Sequence, residues 1–289
     1  MKIGKLGTEN IRWDLNVMYS GINNRQLDVD IAKLTRGYKE FNKNYKSKLA
    51  KRLGKAISDF CGLEMLESKI SVFLYLLKST NIDDAAIKAK MAEVQRKIST
   101  AYGEYMAFFQ IELVVLKDSV LNKLYKSDPI VKKHKPWIEY SKIFKPHLLS
   151  EPVEGALAKR LPFGPSAWGD FFDEFEAGLE FEFKGEKKNI TEIFHILTDS
   201  KDPEERNEAL KIVNSTLSGH FARYSAQTLY MIIGSGGVET KERSYRHPMD
   251  MRNKSNRVPD EVVGILHKII KDVASPLARR YYKLKAKHL

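Results

Sequence analysis

Apolar side chains recur every three or four residues over most of this sequence, a period that suits helices and little else. From Leu27 the series Leu27, Ile31, Leu34, Tyr38, Phe41, Tyr45 and Leu49 falls on one stripe. Leu63, Leu66, Ile70, Phe73 and Leu77 make a second stripe. A longer third runs Ile87, Met91, Val94, Ile98, Tyr102, Tyr105, Phe109, Leu113 and Leu116. Asp83 and Asp84 suit the first turn of that third helix, because carboxylates favour the positive helix end. Long isolated helices are marginal in water, so each stripe must be buried against the others. The expected fold is mainly α, an elongated array of antiparallel helical hairpins.

The middle of the chain is more broken. Asp128-Pro129 opens a new helix, Lys135-Pro136 and Lys145-Pro146 interrupt, and Ser150-Glu151-Pro152 starts another. Ser166 is a plausible N-cap for a helix over Ala167 to Phe175. Leu179 to Phe183 alternates apolar and charged residues before a turn at Lys184-Gly185-Glu186, which predicts one small β-hairpin near residues 179–195. Asn189 to Ile196 fits either the returning strand or the start of a helix. Helix resumes after Asp202-Pro203, and Gly234-Ser235-Gly236-Gly237 is expected to end it as a flexible inter-helix loop. The last helix starts near Asp260, with Val262, Leu266, Ile269, Val273, Leu277, Tyr281 and Leu284 on one stripe, and the sequence stops at Leu289 without a capping glycine or proline. That ending suggests a truncated chain.

Chemistry-bearing motifs are missing from this scaffold. The seven histidines are His134, His147, His195, His220, His247, His267 and His288; no two lie three or four apart, and none is followed by Glu. HExxH is therefore absent, and no single helix offers a metal two imidazoles on one face. Gly164-Pro165-Ser166-Ala167-Trp168 departs from the nucleophile elbow at its last position, and Gly234 to Gly237 lacks the spacing of a phosphate loop. Asp170, Asp173 and Glu174 sit at helical spacing beside aromatics and read as a solvated face. The sequence assigns no catalytic, cofactor-binding or metal-binding residue.

Charge points weakly elsewhere. The net charge is +12, and nine Lys and Arg fall between Lys33 and Lys55 against Glu40 alone. Such a run is a solvated helix face or an attractor of acidic peptides or nucleic acid. Tyr38, Phe41 and Tyr45 within it lie at core spacing, which argues against base stacking and makes nucleic acid an unlikely partner. The single cysteine, Cys61, excludes an internal disulfide; it reads as a small buried hydrophobe, with a reactive thiol as the alternative. The apolar runs are too short to span a bilayer, and the first seven residues lack the apolar core of a secretory leader. A cytoplasmic location and no membrane partner are the expectations.

Several segments, in order, resemble the oligoendopeptidase F family of zinc metallopeptidases. Trp13-Asp14-Leu15 with Tyr19 resembles the family's opening, and Phe73, Tyr75, Leu76, Thr80 and Asp83-Asp84 its next landmark. Leu148 to Glu154, Ser166-Ala167-Trp168 with Phe171 to Glu174, Leu179 to Phe183, and Arg206 with Ala209 follow in sequence. Arg243-Ser244-Tyr245, Pro248, Arg252-Asn253 and Asn256 are similar to its R-x-Y…P…R-N-x-x-N run, and Arg280 to Lys287 to its closing R-Y/F-Y-x-L-K-A-K helix. The resemblance covers the family's N-terminal half. It implies a helical hairpin region over 1–117, a family N-terminal-type domain over 118–186, and the beginning of a peptidase domain over 187–289. The zinc site of the complete family enzyme lies beyond these positions, so no cofactor is expected in this chain.

The resemblance implies a non-catalytic half, inactive alone, of an enzyme that hydrolyses oligopeptides when complete. Its partners are then oligopeptides or a missing C-terminal zinc domain, with self-association through bare apolar helix faces. Two other readings are a repurposed helical module that holds peptides or proteins without cutting, and a weak basic nucleic-acid binder.

Overall fold

The computed structural model describes residues 14–80, 82 and 84–288. Trp13, Asp83, Leu289 and the first seven residues, on which parts of the sequence reading rest, lie outside them. The chain is mainly α and packs as two units, Met1–Pro162 and Phe163–Leu289.

In the first unit, α1 (Arg25–Tyr45) begins where the Asn24 side chain accepts from the Gln26 backbone N–H, and it buries Leu27, Ile31, Leu34, Tyr38, Phe41 and Tyr45. α2 (Leu49–Thr80), with a break in helical geometry at Arg52, buries Ile70 and Phe73; Leu63, Leu66 and Leu77 pack around them. The third stripe divides. α3 (Ala85–Tyr105), capped by Asp84, ends at Met106, and α4 (Ala107–Val115) carries Phe108, Phe109 and Leu113 into the core on its own axis. Both phenylalanine rings reach Phe41 from within α4, at separations of 6.0 and 5.1 Å.

The short helices α5 (Asp118–Ser127), α6 (Pro129–Lys133), α7 (Lys135–Lys142) and α8 (Glu151–Arg160) complete this unit. Asp128 caps α6 just ahead of Pro129 by accepting from Ile130 and Val131. α8 crosses α3 at Gly103 and Gly155, where a Cβ on either glycine lies 2.4 Å from the other's carbonyl oxygen. The core tyrosines deliver their hydroxyls to carboxylates at its edge: Tyr19 to Asp30 at 2.8 Å, Tyr38 to Glu67 at 2.5 Å, Tyr45 to Asp59 at 2.5 Å and Tyr125 to Glu139 at 2.8 Å. Aromatic bulk thus fills the stripe while each polar tip stays satisfied.

In the second unit, α9 (Pro165–Ala177) starts from Gly164, so Ser166 lies inside its first turn and is not the N-cap. Pro165, with its fixed φ and missing N–H, takes the entry position instead. The hairpin is shorter than expected: β1 (Phe181–Phe183) pairs antiparallel with β2 (Glu186–Lys188). Lys184 (φ 51°) and Gly185 (φ 80°) form the two-residue turn, whose positive φ values match strand twist. Phe181 and Phe183 point inward with Glu182 exposed, the alternation seen in the sequence.

The undecided segment is helix. In α10 (Ile190–Asp199) the Asn189 side chain accepts from the Glu192 backbone while the Glu192 side chain accepts from the Asn189 backbone, a complete capping box. α11 (Pro203–Leu217) follows an Asp202 cap. The glycine run does not end a helix: α12 (His220–Glu242) continues through Gly234 to Gly237. All three glycines keep helical-sign φ in open space, and a glycine inside a helix costs about 1 kcal/mol against alanine, which disfavours the helix without forbidding it. Then come α13 (Asp250–Ser255), α14 (Asp260–Ile269), a π-helical turn over Ile270–Ala274, and α15 (Ser275–His288). Pro276 accounts for the widened turn, since its ring removes a donor and clashes with the carbonyl four residues back.

Candidate functional site

The histidines are dispersed. In the first unit the His134 Nδ1 lies 2.8 Å from the Ile130 carbonyl and its Nε2 3.8 Å from the Cys61 Sγ, and His147 is buried. Cys61 is half-buried against the core. In the second unit His195 pairs with Asp199 at 2.7 Å on an exposed helix face, and His220 stacks on Tyr224. Asp170, Asp173 and Glu174 lie on α9, half-buried or exposed.

One group of metal-capable side chains among the described residues converges: His247, Asp250 and Asp260, with one ligand atom from each within 4.8 Å of the others. Sequence spacing did not reveal it, because the three come from a loop, the start of α13 and the start of α14. The geometry is that of an ion-pair brace. Asp250, only 1% exposed, accepts from the Arg246 backbone N–H at 3.0 Å, from the Arg246 guanidinium at 3.3 and 3.4 Å, and from Lys254. Asp260 accepts from the Arg246 guanidinium at 2.8 Å, from Asn253 at 2.8 Å and from His247 Nε2 at 3.0 Å. Burial alone raises the Asp250 pKa; the bonds from Lys254 and Arg246 overcome it and hold the carboxyl well below the usual carboxylate range. Hydrogen bonds from Asn253 and His247 likewise lower that of Asp260.

These residues do not fit a zinc ion. The two carboxylates are already balanced by the cations of Arg246 and Lys254, and a divalent ion would lie beside both while only one imidazole faced it. Of the R-x-Y…P…R-N-x-x-N run only Asn253 belongs to this brace, buried within it, while the Lys254 ammonium lies 5.8 Å from the Tyr245 ring centre.

The second feature is apolar. The second unit's core comprises Phe181, Phe183, Ile193, Ala209 and Val213, with six partly buried neighbours. Yet the stripe Val262, Leu266, Ile269, Val273, Leu277, Tyr281 and Leu284 is between 51% and 65% exposed along its whole length. Leu229, Tyr230 and Ile233 of α12 are exposed as well. A contiguous apolar helix face in water marks an interaction surface. No helix among the described residues is long and apolar enough to cross a membrane.

The family described as Oligopeptidase F matches residues 112–181. Group B oligopeptidase PepB of Streptococcus agalactiae serotype III (strain NEM316) is 26% identical over 292 aligned residues, which cover 97% of this chain and 47% of the relative. The crystal structure of oligoendopeptidase-F from Enterococcus faecium superposes with a TM-score of 0.79 at 22% identity, covering 91% of this chain and 53% of that one. A Chlamydophila abortus protein described as a candidate peptidase superposes with a TM-score of 0.60 at 17% identity, covering 95% and 47%. In sequence the chain is similar to PepB, and in fold to oligoendopeptidase-F. The chain spans about half the length of the relatives it matches.

Proposed function

We propose that this chain is the non-catalytic half of an oligoendopeptidase F-type zinc metallopeptidase, a cytoplasmic hydrolase of oligopeptides when complete. The observation that carries this reading is coverage: nearly all of the chain aligns with PepB, and more than half of PepB is left over. The bare stripe on α14 and α15 is the surface on which a polypeptide equivalent to that remainder docks. Zinc and the HExxH helix come from that second half, since no His here is followed by Glu.

The chain alone, purified and supplied with zinc, is expected to retain no stoichiometric metal and to leave fluorogenic oligopeptides intact. Mixed with the HExxH-bearing half of a relative, it is expected to form a 1:1 complex. Chelator-sensitive cleavage by the chain alone defeats the reading. A second reading, a peptide-holding module without catalysis, is favoured by the exposed Tyr230, Tyr281 and Tyr282. Saturable binding of unlabelled oligopeptides by the chain without a partner distinguishes it.

A further inference from the structure

The basic excess is confined to one unit. Met1–Pro162 holds 29 of the 49 Lys and Arg but 18 of the 37 Asp and Glu, a net of +11, which leaves +1 for Phe163–Leu289. Of the nine cations between Lys33 and Lys55, only Lys46, with Glu151 at 2.5 Å, and Lys55, with Asp59 at 2.6 Å, meet a carboxylate among the described residues. The other seven are unneutralised, and they are not spread evenly.

Arg36, Lys39 and Lys43 follow one another at three- and four-residue steps, so they share one edge of α1. That edge borders an open groove of about 800 Å³ between α1 and α3, with Arg36 and Lys39 on one wall and Arg96 on the other. All three side chains are exposed. The Arg36 Nε donates to the Ala32 carbonyl, which leaves its two terminal nitrogens free for a ligand. Thr35 and Thr100 add hydroxyls to the lining. The acids there are engaged: Asp28 is held by Lys90 at 2.7 Å, and Glu104 bonds to Tyr105. Lys48 extends the row past the groove, its Nζ bonded to the Lys43 carbonyl at 3.2 Å.

We propose that this groove binds a linear phosphate polymer through its backbone charge. A peptide backbone is recognised by a free sheet edge, which is not present between these two helices, and an acidic peptide by arginine clusters, the competing ligand that the test below must separate. Tyr38, Phe41 and Tyr45 are in the core, which leaves Tyr105, held by Glu104, as the one aromatic among the described residues of the lining and too few for a run of stacked bases. What remains is paired guanidinium forks, lysines and hydroxyls, a set that matches phosphate oxygens and ignores bases. The ligand is therefore a nucleic-acid single strand or inorganic polyphosphate, read without sequence preference. The inference is independent of the peptidase reading.

The test is a competition measured on the full chain by fluorescence anisotropy, with a labelled oligothymidylate as probe. Unlabelled oligothymidylate and inorganic polyphosphate are both expected to displace it, and their relative potencies identify the better source. Poly-glutamate of equal charge is expected not to. Replacing Arg36, Lys39 and Arg96 together by glutamine should weaken binding at least about tenfold and flatten the salt dependence by about two units of slope, three contacts at about 0.7 each. A control that removes the same charge from α5 and α6, Lys123→Gln with Lys126→Gln and Lys132→Gln, should change affinity less than about twofold. Equal loss in the control, no loss in the groove variant, absence of binding, or displacement by poly-glutamate at matching concentration overturns the proposal; the last result assigns the groove to acidic peptides.

Discussion

Replacing Gly155 by alanine puts a methyl carbon 2.4 Å from the Gly103 carbonyl oxygen, on the opposite helix of the α3–α8 crossing. A carbon–oxygen contact settles at about 3.3 Å, so the helices must part by about 1 Å. A gap of about that size forfeits a quarter to a half of each dispersion contact along the seam. Because the obstacle is backbone, no rotamer change relieves it. Overpacking of this kind costs about 1–3 kcal/mol, and alanine's better helix propensity returns about 1 kcal/mol. The net loss is up to about 2 kcal/mol, or a fall in Tm of up to about 8 °C for a unit of this size. Gly62, in α2 of the same unit, has nothing within 4 Å of its Cβ direction. Gly62→Ala therefore keeps only the propensity gain and should raise stability by up to about 1 kcal/mol. Thermal unfolding followed by circular dichroism reads both variants. The two variants should differ by the overpacking cost alone, about 1–3 kcal/mol, and if Gly155→Ala is as stable as Gly62→Ala the steric argument at the crossing is wrong.

Three further outcomes follow from the same packing. Burial raises Tyr102 and, aided by the bond to Asp59, Tyr45 to about 12, while unfolded tyrosines ionise near 10; between these values the native state holds more protons, so stability falls as pH rises from 10 to 12. Each such tyrosine removes up to about 1.4 kcal/mol per pH unit in that window, and tyrosinate absorbance should lag the free amino acid until the fold melts. Asp250→Asn leaves Arg246 and Lys254 facing a neutral amide and is expected to cost about 1–3 kcal/mol in urea titrations at pH 7; because the native carboxyl has a depressed pKa, the deficit should shrink as pH falls below about 4. Asn189→Ala breaks the capping box of α10 and should lower the stability of the second unit by about 1 kcal/mol, a loss that Asn189→Asp does not share.

Periodicity placed the apolar face of α1, whose stripe Leu27 to Tyr45 is buried along its length, although Leu49 on the same step already belongs to α2. It failed where local chemistry competes with period. The break at Met106 leaves no mark in the apolar period, because Tyr105, Phe109 and Leu113 keep the four-residue step across it. Gly234 to Gly237 misled because glycine permits a turn without requiring one. Pro276 is a plain helix interrupter, but the regular apolar spacing through Leu277 hides it. The brace at Asp250 and Asp260 was not legible in the sequence, beyond Asn253 as a member of a family-like run: its members are separated by up to 14 residues and meet through loops whose course no periodic pattern encodes.

A helix is ordinarily oriented by burying its apolar stripe, and α14 has left that stripe in water. Its start is fixed by other means. Asp260, in the first turn, takes hydrogen bonds from Arg246, His247 and Asn253, and Arg246 is anchored in turn on the buried Asp250. Polar contacts at one end therefore set the direction of an apolar face along the rest. On the docking proposed above, such a face would meet its partner already aligned, which would lower the ordering cost of association. On this view the brace and the bare stripe are one device, and loosening Asp260 should weaken docking without changing any residue that touches the partner.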